Sequence, residues 1–160
     1  MLSEWTDFFV ASAGAAAALA GLIIVAVSGD VDRVIAIPGM ASRAGVAIAL
    51  LVMSTLVALG ALIPHSSALG YGALVVVTGL VAVLLATLSL VRLVRARLGS
   101  IGEAFVKGAF GVLPALCAVI GGVLVMLDAE AGLGWVATGI LLAVVFSVIS
   151  SWVILIEIRR

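Results

Sequence analysis

Five long apolar runs, separated by short polar stretches, account for most of the chain. Residues 8–28, 44–63, 69–91, 108–127 and 133–156 contain no Asp, Glu, Lys, Arg or His. A helix rises 1.5 Å per residue, so about 20 apolar residues cross a hydrocarbon layer of roughly 30 Å. Lipid offers no water to unpaired backbone groups, which makes each run a transmembrane helix rather than an isolated strand. The period-2 alternation of a β-barrel is absent. The fold expected is therefore an all-α integral membrane protein, a single transmembrane domain over residues 1–160 with five helices in a bundle. A four-span arrangement, with one run lying on the surface, is the alternative.

Composition supports this. The chain is 66% hydrophobic and 10% charged, against about 25% charged in a soluble domain, and its mean hydropathy is +1.48. Such a sequence cannot coat a soluble globule with polar side chains. Net charge is zero and no basic stripe exists outside short loops, which excludes nucleic acid as a partner. The lone Cys117 excludes a disulfide framework.

Charge placement sets the expected orientation. Arg33 and Arg43 flank the first loop, Arg92, Arg95, Arg97 and Lys107 the third, and Arg159 and Arg160 end the chain. With five crossings all eight basic residues fall on one side, which the positive-inside rule makes cytoplasmic. Glu4, Asp7, Asp128 and Glu130 then face out, giving N-outside and C-inside. Four spans would break this alternation. Trp5, Tyr71 and Trp135 fall at outer helix ends and Trp152 near an inner one, the expected interfacial positions. The N-terminus carries acids and no base, unlike a signal peptide, and no lipidation signal is evident.

Loop signals add local detail. Val31, Val34 and Ile35 at helical spacing predict a short helix in the headgroup layer. Pro38-Gly39 suits a type II turn with positive φ at the glycine. Ser100-Ile101-Gly102-Glu103 reads as a capping box after Gly99. Asp30 and Asp32 supply two carboxylates, too few for a calcium or zinc site. Arg92, Arg95, Arg97 and Lys107 either fix topology alone or also attract anionic lipid.

The segment Trp5-Thr6-Asp7-Phe8-Phe9-Val10-Ala11, the Ala/Gly-rich first span, Asp32-Arg33-Val34-Ile35, Pro38-Gly39-Met40 and Arg43-Ala44 carry a resemblance. Over about 65 N-terminal residues the chain resembles a group of small uncharacterised bacterial multi-pass membrane proteins. The resemblance implies no activity and transfers no functional residue. Seven Arg against one Lys points to a GC-rich bacterial genome, and so to a bacterial plasma membrane.

Within a bilayer, helices associate through close packing and interhelical hydrogen bonds. In the first span Ala13, Ala17 and Gly21 recur every four residues, with Gly14 and Ala18 alongside. This small-residue stripe is expected to pack, more simply within the bundle than between protomers. Gly121-Gly122 marks a second thin spot. Pro114 interrupts the fourth span and is a candidate hinge. Ser147, Ser150 and Ser151 share one face of the fifth span, either bonding carbonyls within the bundle or lining a narrow path.

No ionisable group lies at depth, where a proton-coupled transporter would carry one. His65 sits in an external turn, and Cys117 lies at lipid depth, where its thiolate is disfavoured. The function expected is non-enzymatic: a homo-oligomeric or accessory scaffold subunit acting through helix packing. An oligomeric passive channel lined by hydroxyls is the alternative. Membrane lipids and further copies or a membrane-protein complex are the expected partners; no cofactor is expected.

Overall fold

The computed structural model describes residues 2–29, 31–37, 39–64, 67–95 and 101–159, and these are helical apart from short turns, with no strand among them. After a 3-10 turn at Leu2–Trp5, six helices follow: α1 (Thr6–Gly29), α2 (Val31–Ala36), α3 (Met40–Ala61), α4 (Ala68–Arg95), α5 (Ile101–Met126) and α6 (Gly132–Arg159). Four of them, α1, α3, α4 and α6, are long and apolar enough to cross a membrane, and α5 contributes a shorter apolar stretch, Gly111–Met126. The architecture is a helical bundle, as a transmembrane protein requires.

The helices outrun the apolar runs because their ends are set by turn chemistry rather than by lipid depth. Gly39 adopts φ 85°, ψ −12°, and the Met40 amide donates to the Ile37 carbonyl at 3.2 Å. Gly39 therefore occupies the left-handed position of a tight turn, as expected; Pro38 lies outside the described residues. The Ser67 hydroxyl accepts from the Gly70 amide at 3.0 Å and so caps the start of α4. Helix α5 is described from Ile101; the expected capping residues Gly99 and Ser100 lie outside the described residues. At the other end of α5 the Ala129 amide reaches the Leu124 carbonyl at 2.9 Å and the Asp128 amide the Val125 carbonyl at 3.1 Å. This is a Schellman stop, with Asp128 in the left-handed position at φ 54°.

Successive long helices run antiparallel. Ser42 meets Ser89, while Gly60 lies beside Leu74 at the opposite end of α3 and α4. Gly72 abuts Gly122 and Gly79 abuts Val119, pairing α4 with α5; Gly121 and Gly139 pair α5 with α6. Helix α6 returns to α3, closing a four-helix ring of α3, α4, α5 and α6, and α1 packs on the outside against α3. Helix α3 touches α1, α4 and α6 and buries Leu50, Leu51 and Val57 among others. The short α2 inserts Val34 against Met40 and Ala44 and leaves Val31 and Ile35 exposed.

The two ends of the bundle differ in charge. One end gathers Glu4, Asp7, Asp128 and Glu130, all exposed, and has no described basic side chain. Arg43, Arg92 and Arg95 lie at the other. Trp135 and Trp152 are exposed near helix ends, as interfacial residues should be. Tyr71 is not: it is 2% exposed, seated edge-on against Phe9 at 6.2 Å. Its position at a helix end is shared with the interfacial pattern, but its face points into the core, where Phe8 and Trp5 extend the aromatic cluster.

Candidate interaction surface

Helix α1 has two small-residue faces. Phe9, Ala13, Ala16, Ala20 and Ile23 are buried, with Ala16, Ala20 and Ile23 packed against Ala47 and Leu51 of α3. On the far side Gly14, Ala17, Ala18 and Gly21 are exposed. A Cβ built on Gly14 or Gly21 meets nothing within 4 Å. Of the five residues expected to pack inside the bundle, only Ala13 does so. The others form a smooth outward face that continues through Ala11 and Val25, spaced at three and four residues. Among the described residues this face has no partner.

The close helix contacts lie elsewhere, along α4, α5 and α6. A Cβ on Gly72 would sit 2.7 Å from the Gly122 carbonyl oxygen, and one on Gly121 2.6 Å from the Val136 amide. One on Gly139 would fall 2.9 Å from both the Ala118 amide and the Pro114 carbonyl oxygen. Those neighbours are backbone atoms, which cannot swing aside. Gly72 and Gly79, like Gly132 and Gly139, are seven residues apart; this spacing is visible in the sequence and marks the seams that the first-span stripe does not supply.

Pro114 lies inside α5, fully buried, with Gly139 of α6 directly on its carbonyl. The candidate hinge thus lies against the α6 backbone at Gly139.

Most of the described hydroxyls at depth donate to carbonyls. Ser147 and Ser150 are buried. The Ser147 hydroxyl donates across the α3–α6 seam to the Ala47 carbonyl at 3.1 Å, and Ser151 donates to the Ser147 carbonyl at 2.8 Å. The small Ala47 lets α6 approach closely, and its carbonyl has a second lone pair beyond its own helix bond. Ser54, Thr55, Thr78, Thr87 and Thr138 each donate to a carbonyl of the preceding turn. Ser42, which sequence reasoning passed over, shares a hydrogen bond of 2.6 Å with Ser89 and ties α3 to α4. The buried Tyr71 hydroxyl has no hydrogen-bond partner among the described residues.

Arg92 and Arg95 are exposed in the last turns of α4. Arg97 lies outside the described residues, as does the side chain of Lys107, so the expected cluster of four is described only in half. His65 is likewise outside them. Cys117 is buried and unpaired. Among the described residues no three His, Cys, Asp or Glu side chains come together to hold a metal ion.

Among the described residues two surface features stand out: an unpartnered small-residue face on α1 and tightly fitted glycine seams within the ring. No protein-family model, curated protein or solved structure matches the chain.

Proposed function

We propose that the chain is a non-enzymatic subunit of a bacterial plasma membrane that assembles with copies of itself or with another membrane protein through the outward face of α1. It crosses the bilayer five times, N-outside and C-inside, with the arginine-bearing end in the cytoplasm. The alternating bundle supports this orientation, because it collects Glu4, Asp7, Asp128 and Glu130 at one end and every described arginine, with Asp32, at the other.

One observation carries the assembly reading: the exposed Gly14, Ala17, Ala18 and Gly21 face is the smoothest surface on α1 and is used by no other element. A glycine inside a helix costs about 0.5–1 kcal/mol relative to alanine, and lipid tails gain nothing from it. A second helix does gain, since small residues let two backbones approach. The bonding of Ser147 and Ser151 to carbonyls favours packing over conduction as the role of the deep hydroxyls.

The test replaces Gly14 and Gly21 together by leucine and measures native mass from membranes, alongside thermal stability in detergent. Loss of the assembled species with unchanged monomer stability is expected. An unchanged assembly, or a wild-type protein that is monomeric in native membranes, overturns the proposal.

A further inference from the structure

The short α2 sits where the chain leaves one membrane-length helix and enters the next. One residue separates it from the end of α1 at Gly29, and three from the start of α3 at Met40. Consecutive Cα atoms are about 3.8 Å apart, so neither helix end is more than about 15 Å away. Packing fixes its depth more closely. Val34 is 2% exposed and rests on Met40 and Ala44, and Ala44 opens the second charge-free run, directly after Arg43. Val27, in the last turn of α1, and Ile37 complete this small core. Helix α2 therefore lies level with the boundary between apolar run and polar loop, at the arginine-bearing end.

The surfaces of α2 follow one another in order around its axis. A helix turns about 100° per residue, so Val31 and Ile35 lie roughly 60° and 100° round from the buried Val34, and Asp32 roughly 160°. Val31 is 44% and Ile35 69% exposed; four residues apart, they form one continuous strip. Asp32 beyond them is exposed as well. Passing round the helix, the face held by the bundle is followed by an apolar face and then by a carboxylate. That order fits a helix at the rim of a bundle in the interface, with protein on one side, lipid on the next and water on the third. The apolar strip also continues the lipid-facing belt of the long helices, in which Val25 of α1 is exposed one turn before α1 ends.

We infer that α2 is a lipid-contacting anchor: it lies in the leaflet at the arginine-bearing end, with Val31 and Ile35 set into the boundary between headgroups and acyl chains. This rests on the membrane-spanning reading and is independent of self-assembly through α1. Amphipathic helices bury their apolar face at that depth, and the short links to α1 and α3 leave this one nowhere else to place it. The contact is distinct from the arginines of α4, since it is made by apolar side chains and needs no anionic lipid. It also ties the end of α1 to α3, because the core around Val34 takes in Val27 as well as Met40 and Ala44.

The experiment places nitroxide labels on the full chain in phosphatidylcholine vesicles, at Val31→Cys, Asp32→Cys, Ile35→Cys and Leu84→Cys in turn, each after Cys117→Ala. Collisions with oxygen, which concentrates in lipid, are compared with collisions with a nickel chelate, which stays in water. The oxygen-to-nickel ratio at positions 31 and 35 should exceed that at position 32 severalfold and lie below that at position 84, in the middle of α4. Equal ratios at 31, 32 and 35 would put α2 in water and overturn the inference. So would a label at 35 reached by neither reagent, since another protein surface would then cover the strip. Leu84 separates the failures: nickel contact there sinks the membrane reading itself, whereas a deep Leu84 with a wet Ile35 sinks only the anchor. A variant that leaves the bundle intact gives a second readout. Ile35→Gln should speed amide hydrogen exchange over residues 31–36 severalfold in the same vesicles, and Asp32→Asn should not; unchanged exchange in Ile35→Gln contradicts the inference.

Discussion

Replacing Gly139 by alanine adds a single methyl group to the tightly fitted α5–α6 seam. Its carbon would stand 2.9 Å from the Ala118 amide nitrogen and 2.9 Å from the Pro114 carbonyl oxygen, where contact distances run to about 3.5 Å or more. Both neighbours are backbone, so α5 and α6 must separate by roughly half an ångström. A gap of 0.5–1 Å forfeits a quarter to a half of each dispersion contact. The loss extends along the seam, because Gly121 and Gly132 are fitted to the same separation, each with a backbone amide less than 3 Å from where a Cβ would stand. Overpacking of this kind costs about 1–3 kcal/mol, against at most about 1 kcal/mol gained in helix propensity. Gly139→Ala should therefore destabilise the monomer by about 1–2 kcal/mol. Gly21→Ala adds the same methyl group where nothing lies within 4 Å, and in dilute detergent it should be neutral or stabilising by up to about 1 kcal/mol. The assay is reversible denaturation of both variants in mixed micelles. A Gly139→Ala protein as stable as wild type would refute the packing argument, and a destabilised Gly21→Ala monomer would show that its face is not free.

Three further outcomes follow from single residues. Ser147→Ala should cost about 0.5–1.5 kcal/mol in the same assay, the range for interhelical hydroxyl bonds in membranes; no measurable loss would mean that the bond to Ala47 contributes nothing. Tyr71→Phe should be neutral or stabilising, by up to about 1–3 kcal/mol, because it removes a buried hydroxyl that lacks a partner; clear destabilisation would reveal a bonded hydroxyl. Asp128→Gly should raise stability by about 1 kcal/mol, since Asp128 holds φ 54°, where glycine bears no Cβ penalty; a drop in melting temperature would contradict this.

The helical bundle and the approximate limits of its long helices were legible because long apolar runs free of charge and without period-2 alternation favour helix; four of these helices are long and apolar enough to cross a membrane, and the apolar part of α5 is shorter. The turn at Gly39 was legible for a different reason, since it depends on a local residue type. The packing face of α1 was not. Ala16 and Ala20 on one side are chemically almost the same as Ala17, Ala18 and Gly21 on the other, so no hydrophobic contrast selects a face. The large residues Phe9 and Ile23, at either end of the buried row, held the usable hint. The glycine pairs Gly72/Gly79 and Gly132/Gly139 were open to reading by their spacing, but a heptad of glycines does not say which helix will meet it. Tyr71 was misplaced because position along a span indicates depth, not the direction in which the side chain points.

The proposal that α1 joins one chain to the next is tested most directly by cysteine coupling in intact membranes. Gly14→Cys would be introduced after replacing the buried native Cys117 by alanine, with Leu84→Cys on the lipid-exposed face of α4 as the comparison. A disulfide needs Cα atoms within about 4.4–6.8 Å of each other, a distance two chains reach only if their small faces touch. Rapid oxidation of the Gly14→Cys protein to a covalent dimer, with Leu84→Cys remaining monomeric, is the expected result. Absence of coupling at position 14, or equal coupling at both positions, would contradict self-association through this face.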